Sequence, residues 1–447
     1  MGFDTQICKL AITATDSLLK EGNSPVRAPY ESPSNQTVVF DDALTRIYND
    51  KGPRGAGLLS GLELFRSVFG PVTKELNENG VDVYHMTIDN RLGVPKEKGE
   101  TQLLRVKAAE KQGVVPYPDG CIFSDGGLVI DGNTELIDLR RLQATRALRM
   151  PMCLYLNECV RNLALIPEGK AFYFDYEHSD GPWRYDANGA VQVKDSIWTQ
   201  HKLGETDLRA PQIYEHYAGW NVRSVSPDSD FMAIALIYLH KAPIEKWPET
   251  LVWEHREYKK SNIIKVDMLK MYGQFQLKMQ MTIEQFVLAC ILSGSDYNLK
   301  KPVAHWFNHE AIINAVRTLN PDMSYDQITM SDLVHFNRQL FTSKINTKCL
   351  SAPLSPKNKK KRKRDEIKTK RSVVSVAYEE EANGLFTKKQ IVSIMNNHNG
   401  FSRHVIPTSG EFGDRLRLIN FNLDYWMNSW QQPLSIASDV ADTQPPL

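Results

Sequence analysis

Three short apolar runs that each end in an acid decide what this chain can fold into: TVVFDD (37–42), VDVYHMTID (81–89) and WNVRSVSPDSD (220–230). Each is rich in β-branched or aromatic residues and leads into a helical pattern, which is how the buried strands of an α/β sheet read. Strands covered by helices on both faces belong to a mostly parallel sheet. Ligands of such sheets gather beyond the carboxyl ends of the strands, so acids placed there converge on one rim. Between the runs, GLLSGLELFRSVFGPVTKELNENG (57–80) repeats its apolar residues at three- and four-residue spacing and stops at Gly80. A later helical tract, TIEQFVLACILSGSDY (282–297), stops at Gly294 just before Asp296 and forms a second arm directed at the same site.

The length of 447 residues allows one large catalytic domain with appendages, or roughly two to three domains. A hydrophobic fraction of 42% and a charged fraction of 24% are ordinary for a globular protein and name no function. The net charge of +1 hides an uneven distribution, with basic residues crowded at 357–371 and acids at strand ends. Cys8, Cys121, Cys153, Cys159, Cys290 and Cys349 show no CxxC spacing, which argues against a zinc site or disulfide framework and for a reducing compartment. No run approaches the roughly 20 apolar residues of a membrane span. The opening MGFDTQICKL lacks a secretory pattern, and Gln6 stands where a myristoylation signal has Ser or Thr. A soluble intracellular protein with no membrane partner is expected.

Residues 98–112 and 134–165 are charged and helix-permissive, and the turn-rich VVPYPDGCIFSDGG (114–127) between them reads as an insertion rather than core. Residues 351–372 lack apolar periodicity and are rich in Pro, Lys and Arg, as a flexible linker is. RLRLINFNLDYWMNSW (415–430) is apolar and aromatic enough to pack back onto the body. The expected division is 1–112, an insertion over 113–203, 204–316, a helical extension over 317–350, the linker at 351–372, and an extension over 373–447.

Phosphodiester hydrolysis needs charge neutralised on both the attacking and the leaving oxygen, which two divalent cations about 4 Å apart accomplish. Mg²⁺ takes oxygen ligands, so a protein serving it supplies converging Asp and Glu. In SPDSDFMAIALIYL (226–239), Asp228 and Asp230 alternate at a strand end before an apolar helix. In GETDL (204–208), Glu205 and Asp207 open another helical stretch. Alone, such a D-x-D pair is more often a solvated loop or helix-cap pair.

The ordered series E-x-D, then strand with D-x-D, then apolar helix with GSDY at 294–297, resembles the catalytic core of the XPG/flap endonuclease family. The resemblance covers about 2–316 with gaps. It implies a PIN-like 5′ nuclease core with a helical arch inserted and a C-terminal extension. It also implies two Mg²⁺ ions, with Mn²⁺ as a substitute, held by Asp42, Asp89, Glu205, Asp207, Asp228, Asp230 and Asp296. Asp42 opens Asp42-Ala43-Leu44-Thr45-Arg46-Ile47-Tyr48, the family's strand-end pattern, and Asp41 is the reserve. Gly2 and Tyr48 match positions that meet DNA, Tyr48 by stacking on a base. Lys98 and Arg105, seven residues apart, match the cations that reach the scissile phosphate. The implied reaction is hydrolysis near the junction of a 5′ single strand with duplex DNA in replication or repair, by a monomer.

Three features depart from the family. Asn90 replaces the glycine that follows the Asp89 ligand. NLKKPVAHWFNHEAIINAV (298–316) has no Gly-x-Gly hairpin to grip the duplex, which leaves Lys300, Lys301 and His305 as candidate phosphate contacts. Gln390 opens QIVSIMNN, which lacks the aromatic pair of a sliding-clamp peptide, so no clamp partner is expected. Lys359, Lys360, Lys361, Arg362, Lys363 and Arg364 form a run that reads as a nuclear localisation signal, with a nonspecific DNA-binding patch as the competing reading. Two other functions stay open: a 5′→3′ exoribonuclease-like enzyme sharing the acidic core, and a catalytically weak DNA-binding scaffold.

Overall fold

A computed structural model describes residues 5–29, 35–49, 57–88, 103, 106–163, 165–176, 181–193, 206–256, 263–293, 309–323, 325, 327–342 and, between 416 and 427, all but 418, 421 and 425. They fall into two compact units, Ile12–Gln274 with Asn428–Leu447, and Met1–Ala11 with Phe275–Met427. The chain begins α1 (Thr5–Thr15), β1 (Thr37–Asp42), α2 (Ala43–Asn49), β2 (Leu58–Leu59), α3 (Gly61–Glu78) and β3 (Val83–Thr87). It continues β4 (Ile122–Ser124), β5 (Gly127–Ile130), β6 (Asn133–Glu135), β7 (Ile137–Asp138), α4 (Leu139–Ala144), α5 (Arg149–Leu163), β8 (Ala171–Asp175), β9 (Trp183–Asp186) and β10 (Gly189–Gln192). Then follow α6 (Ala210–His216), β11 (Asn221–Val225), α7 (Asp230–Lys241), β12 (Thr250–Arg256), β13 (Ile263–Asp267), α8 (Met268–Met279), α9 (Ile283–Ser293), α10 (His309–Arg317) and α11 (Met330–Thr342).

The three acid-ended runs are β1, β3 and β11, and they lie side by side. Among the described residues the main sheet has the order β10-β9-β8-β3-β1-β11-β12-β13. Its centre, β8 to β12, is parallel, and β9, β10 and β13 are antiparallel at the edges. Side chains alternate across the sheet, so the two faces are read from the register. Val39, Tyr84, Met86, Phe172 and Phe174 face a core completed by α3 and α5, including Leu64, Phe69, Val72, Met152 and Leu156. On the other face Phe40 packs on Phe231 of α7 with ring centroids 5.8 Å apart. There the Tyr214 hydroxyl of α6 and the Ser224 hydroxyl share a 2.9 Å hydrogen bond. The sheet is thus covered by helices on both faces, the α/β class expected.

Helix α3 starts at Gly61, inside the 57–80 tract read as helical, and Leu58–Leu59 forms β2 instead. Ser60 caps the amide of Glu63 at 3.1 Å while the Glu63 carboxylate accepts the Ser60 amide at 2.8 Å. Gly80, at φ +69°, ends the segment in a conformation that glycine adopts without steric cost. Gly61 is needed for space: a Cβ there would stand 1.9 Å from the Ser124 carbonyl oxygen.

That contact corrects one reading of the sequence. The 114–127 segment, read as an insertion rather than core, does contribute to the core: Tyr117, Cys121 and Phe123 are buried in the same cluster as α3. A second correction concerns AFYFDYEHSDGPWRY (171–185), assigned to the arch insertion; it supplies β8 and most of β9. Phe172 and Phe174, both almost fully buried, explain why the stretch belongs to the sheet.

In the second unit, Thr282 and Gln285 form a reciprocal cap at the start of α9. Phe275 meets Phe286 edge-on at 5.0 Å. Within 416–427, Ile419, Leu423, Trp426 and Met427 are buried, and Asn420 binds both the amide and the carbonyl of Ile328 at 2.9 Å. The C-terminal segment therefore does pack back, onto the stretch before α11. Cys8, Cys121, Cys153, Cys159 and Cys290 are buried, and Cys349 lies outside the described residues. Among the described residues no helix is long and apolar enough to cross a membrane.

Candidate acidic site at the carboxyl end of the sheet

The parallel pairing brings strand ends together in a definite order. Asp42 of β1 is in register with Thr87 of β3, and Thr87 with Asp175 of β8, so the three side chains form one row on one face. On the other side of β1, Asp41 is in register with Val225, which places Asp42 level with Ser226 just past β11. Asp41 points to the opposite face, where it is buried and accepts the Tyr84 hydroxyl at 2.6 Å. Alternation along β1 therefore puts Asp42, rather than Asp41, in the row.

A hydrogen-bonded series links the acids of β1 and β11. The buried Ser226 hydroxyl donates to Asp42 Oδ2 at 3.3 Å and accepts the Asp228 amide at 3.0 Å. The Asp228 Oδ1 accepts the amide of Asp230 at 3.2 Å. Asp230 is the first residue of α7 and is buried, so its carboxylate stands where helix amides concentrate positive potential. Asp228 thus serves two ends: it stabilises the entry to α7, as helix-cap acids do, and it remains half-buried at the rim.

Asp207 begins a one-turn 3₁₀ helix (Asp207–Arg209) and is buried. That turn packs against α7. Its last residue, Arg209, reaches back to Asp175, with Nη1 3.0 Å from Oδ2 and Nη2 3.5 Å from Oδ1. Both side chains are nearly enclosed, at 12% and 10% exposure. Neither residue was singled out from the sequence, although FYFD ends an apolar run in an acid just as the three strands above do.

Of the other expected site residues, Tyr48 lies in α2, half-buried and packed against the main core. Gly2, Asp89, Lys98, Arg105, Glu205, Asp296, Lys300, Lys301, His305, Gln390 and the run Lys359, Lys360, Lys361, Arg362, Lys363 and Arg364 lie outside the described residues. Among the described residues no group of three or more Asp, Glu, His or Cys side chains by itself suits a metal ion. The donors present are carboxylate and hydroxyl oxygens, the chemistry a hard dication prefers.

The opposite end of the strands differs in character. A cleft of about 540 Å³ opens there, lined by the rings of Tyr173, Tyr217 and Trp220 and by paired charges such as Lys170 with Asp82. No family model matches the chain, and no curated protein matches it.

Proposed function

We propose that this chain is a Mg²⁺-dependent structure-specific 5′ nuclease that hydrolyses phosphodiester bonds in flap or branched DNA. The observation that carries the reading is the hydrogen-bonded series Asp42, Ser226, Asp228 and Asp230 at the carboxyl ends of two adjacent parallel strands. Its donors fit a dication in kind. Asp42, Asp207, Asp228 and Asp230 would hold the cations together with Asp89, Glu205 and Asp296. Bound Mg²⁺ supplies charge neutralisation at the scissile phosphate and a more acidic attacking water. The residues of this chain orient that chemistry: Ser226 fixes the Asp42 carboxylate, and the start of α7 fixes Asp228 and Asp230. Lys98 and Arg105 are assigned to the phosphate and Tyr48 to a neighbouring base. The KKKRKR run is assigned to nuclear entry.

The test is cleavage of a labelled 5′-flap duplex in Mg²⁺, set against EDTA, single-stranded RNA and the Asp228→Asn protein. The asparagine keeps an Oδ1 to accept the Asp230 amide, so the fold is retained while the charge is lost. Cleavage should need Mg²⁺ and fall at least about a hundredfold in the variant, the upper end of what loss of a group supporting a metal costs. Equal activity in the two proteins, or none in either, would sink the reading; preferential RNA cleavage would move it to the exoribonuclease class.

A further inference from the structure

We propose that the ion pair between Arg209 and Asp175 is a latch that holds Asp207 over the acidic row at the sheet's carboxyl end. The metal-binding part of this claim rests on the nuclease reading above.

Asp175 shares a face and a level with Thr87 and Asp42, so a group anchored on Asp175 is anchored to the row itself. β8 is also pinned there, because the Asp175 carbonyl accepts the Ile88 amide at 2.8 Å. From this fixed point Arg209 reaches the 3₁₀ turn, whose own hydrogen bond runs from the Arg209 amide to the Thr206 carbonyl at 3.0 Å. Asp207 lies inside that turn, only two residues before Arg209. The turn's other flank packs against α7, the helix that Asp230 opens. The turn that carries Asp207 is therefore tied to β8 through Arg209 and packed on α7. The guanidinium is nearly enclosed, with Nη1 3.0 Å from Asp175 Oδ2 and one hydrogen bond, from Nη2 to Oδ1 at 3.5 Å, so an enclosed charge pair rather than a fork of short bonds supplies the hold. In this proposal Asp175 would not compete with the other rim acids for a cation, because Arg209 already pairs with it. Arg209 and Asp175 are positioning residues.

The experiment titrates Mn²⁺ into the full chain and follows free Mn²⁺ by electron paramagnetic resonance, alongside Mg²⁺-dependent flap cleavage. Arg209→Ala and Asp175→Asn should raise the Mn²⁺ midpoint about tenfold or more. The Mg²⁺ midpoint for cleavage should move the same way, with most of the rate recovered at saturating Mg²⁺. A residue that merely supports folding would instead lower the amplitude at every concentration and leave the midpoints in place. Arg209→Lys should give an intermediate midpoint, and the exchanged pair Arg209→Asp with Asp175→Arg should restore much of the loss. Should Arg209→Ala fail to fold, the lysine and exchanged proteins carry the test. Wild-type midpoints in the Arg209 and Asp175 variants, with a weakened Asp207→Asn protein, would overturn the latch and leave the nuclease reading standing. Identical Mn²⁺ binding by wild type and Asp207→Asn would overturn the metal reading, and the latch with it.

Discussion

On one face of the central sheet Glu75 and Glu254 close around Arg223 of β11, while at the carboxyl ends of β1 and β11 Asp42, Asp228 and Asp230 gather at the rim. In the first group the fold supplies the opposite charge. Arg223 holds Glu75 through two nitrogens at 2.9 and 3.2 Å and Glu254 through Nε at 3.0 Å, and Lys265 adds a contact to Glu254 at 3.1 Å. In the second group the Ser226 hydroxyl donates to the Asp42 carboxylate and the Asp230 amide to that of Asp228, both uncharged donors. Acids closed around an internal cation hold α3, β11, β12 and β13 together; Asp42 and Asp228 at the rim are the acids that the proposed function assigns to a cation from outside.

The largest expected effect breaks the first group. Arg223→Met leaves the almost fully buried Glu254 without its main partner, and removal of one member of a buried pair costs about 3–5 kcal/mol. Denaturation in urea followed by circular dichroism should show that loss; a change under about 1 kcal/mol would mean the network is not what secures these strands.

Asp42→Asn should reverse the pattern. Flap cleavage should drop at least about a hundredfold while stability changes by less than about 1 kcal/mol, since the amide still accepts from Ser226. A variant that lost stability and activity in proportion would assign Asp42 to structure.

The comparison also has a pH signature. Burial alone would raise the Glu254 carboxyl, but Arg223 and Lys265 outweigh it and the net shift is downward from 4.5. The unfolded chain takes up that proton first as pH falls, so this stabilisation is present above about 4.5 and is lost below it. His85 acts earlier. Burial, reinforced by His216 and Arg209, holds it well below 6.5, and its Nε2 lies 2.7 Å from the Tyr217 hydroxyl. It stays neutral in the fold while the unfolded chain protonates, so its loss of stability begins as pH drops past 6.5. Thermal melts of wild type should therefore decline from neutral pH toward about 5.5, and His85→Gln should flatten that limb while leaving the lower one, near the glutamate range.

How much of this was legible in the sequence depended on whether the signal was local. The ends of β1 at Asp42 and the stop of α3 at Gly80 were readable, because period and terminal residues announce them. AFYFD carried the same signal as β1 but was assigned to an insertion, since strand order in a parallel sheet is set by crossovers that no local pattern encodes. Asp42 could be preferred over Asp41 only on a family pattern; the two-residue period of β1, once anchored by Tyr84, gives the physical reason. The Arg209–Asp175 pair spans 34 residues, and its partners could not be matched before β8 was placed beside β3. Ser226 was hidden for a simpler reason: a serine between a strand and a D-x-D reads as a turn until its neighbour across the sheet is known.

Ser226 gives the finest test of the comparison. Its hydroxyl touches the acids of both strands, donating to Asp42 and accepting from Asp228. Ser226→Ala keeps every carboxylate and removes only their alignment. Loss of a support of this kind typically costs about 10–100-fold in affinity or activity, and the lower figure is expected because the Asp42 bond is long at 3.3 Å. Cleavage should fall about tenfold with a raised Mg²⁺ midpoint, whereas Ser226→Thr, which restores a hydroxyl, should recover part of it. If alanine left the Mg²⁺ midpoint where it was, the series from Asp42 to Asp230 would be a stabilising turn, and the contrast with the Arg223 network would reduce to one of strength rather than purpose.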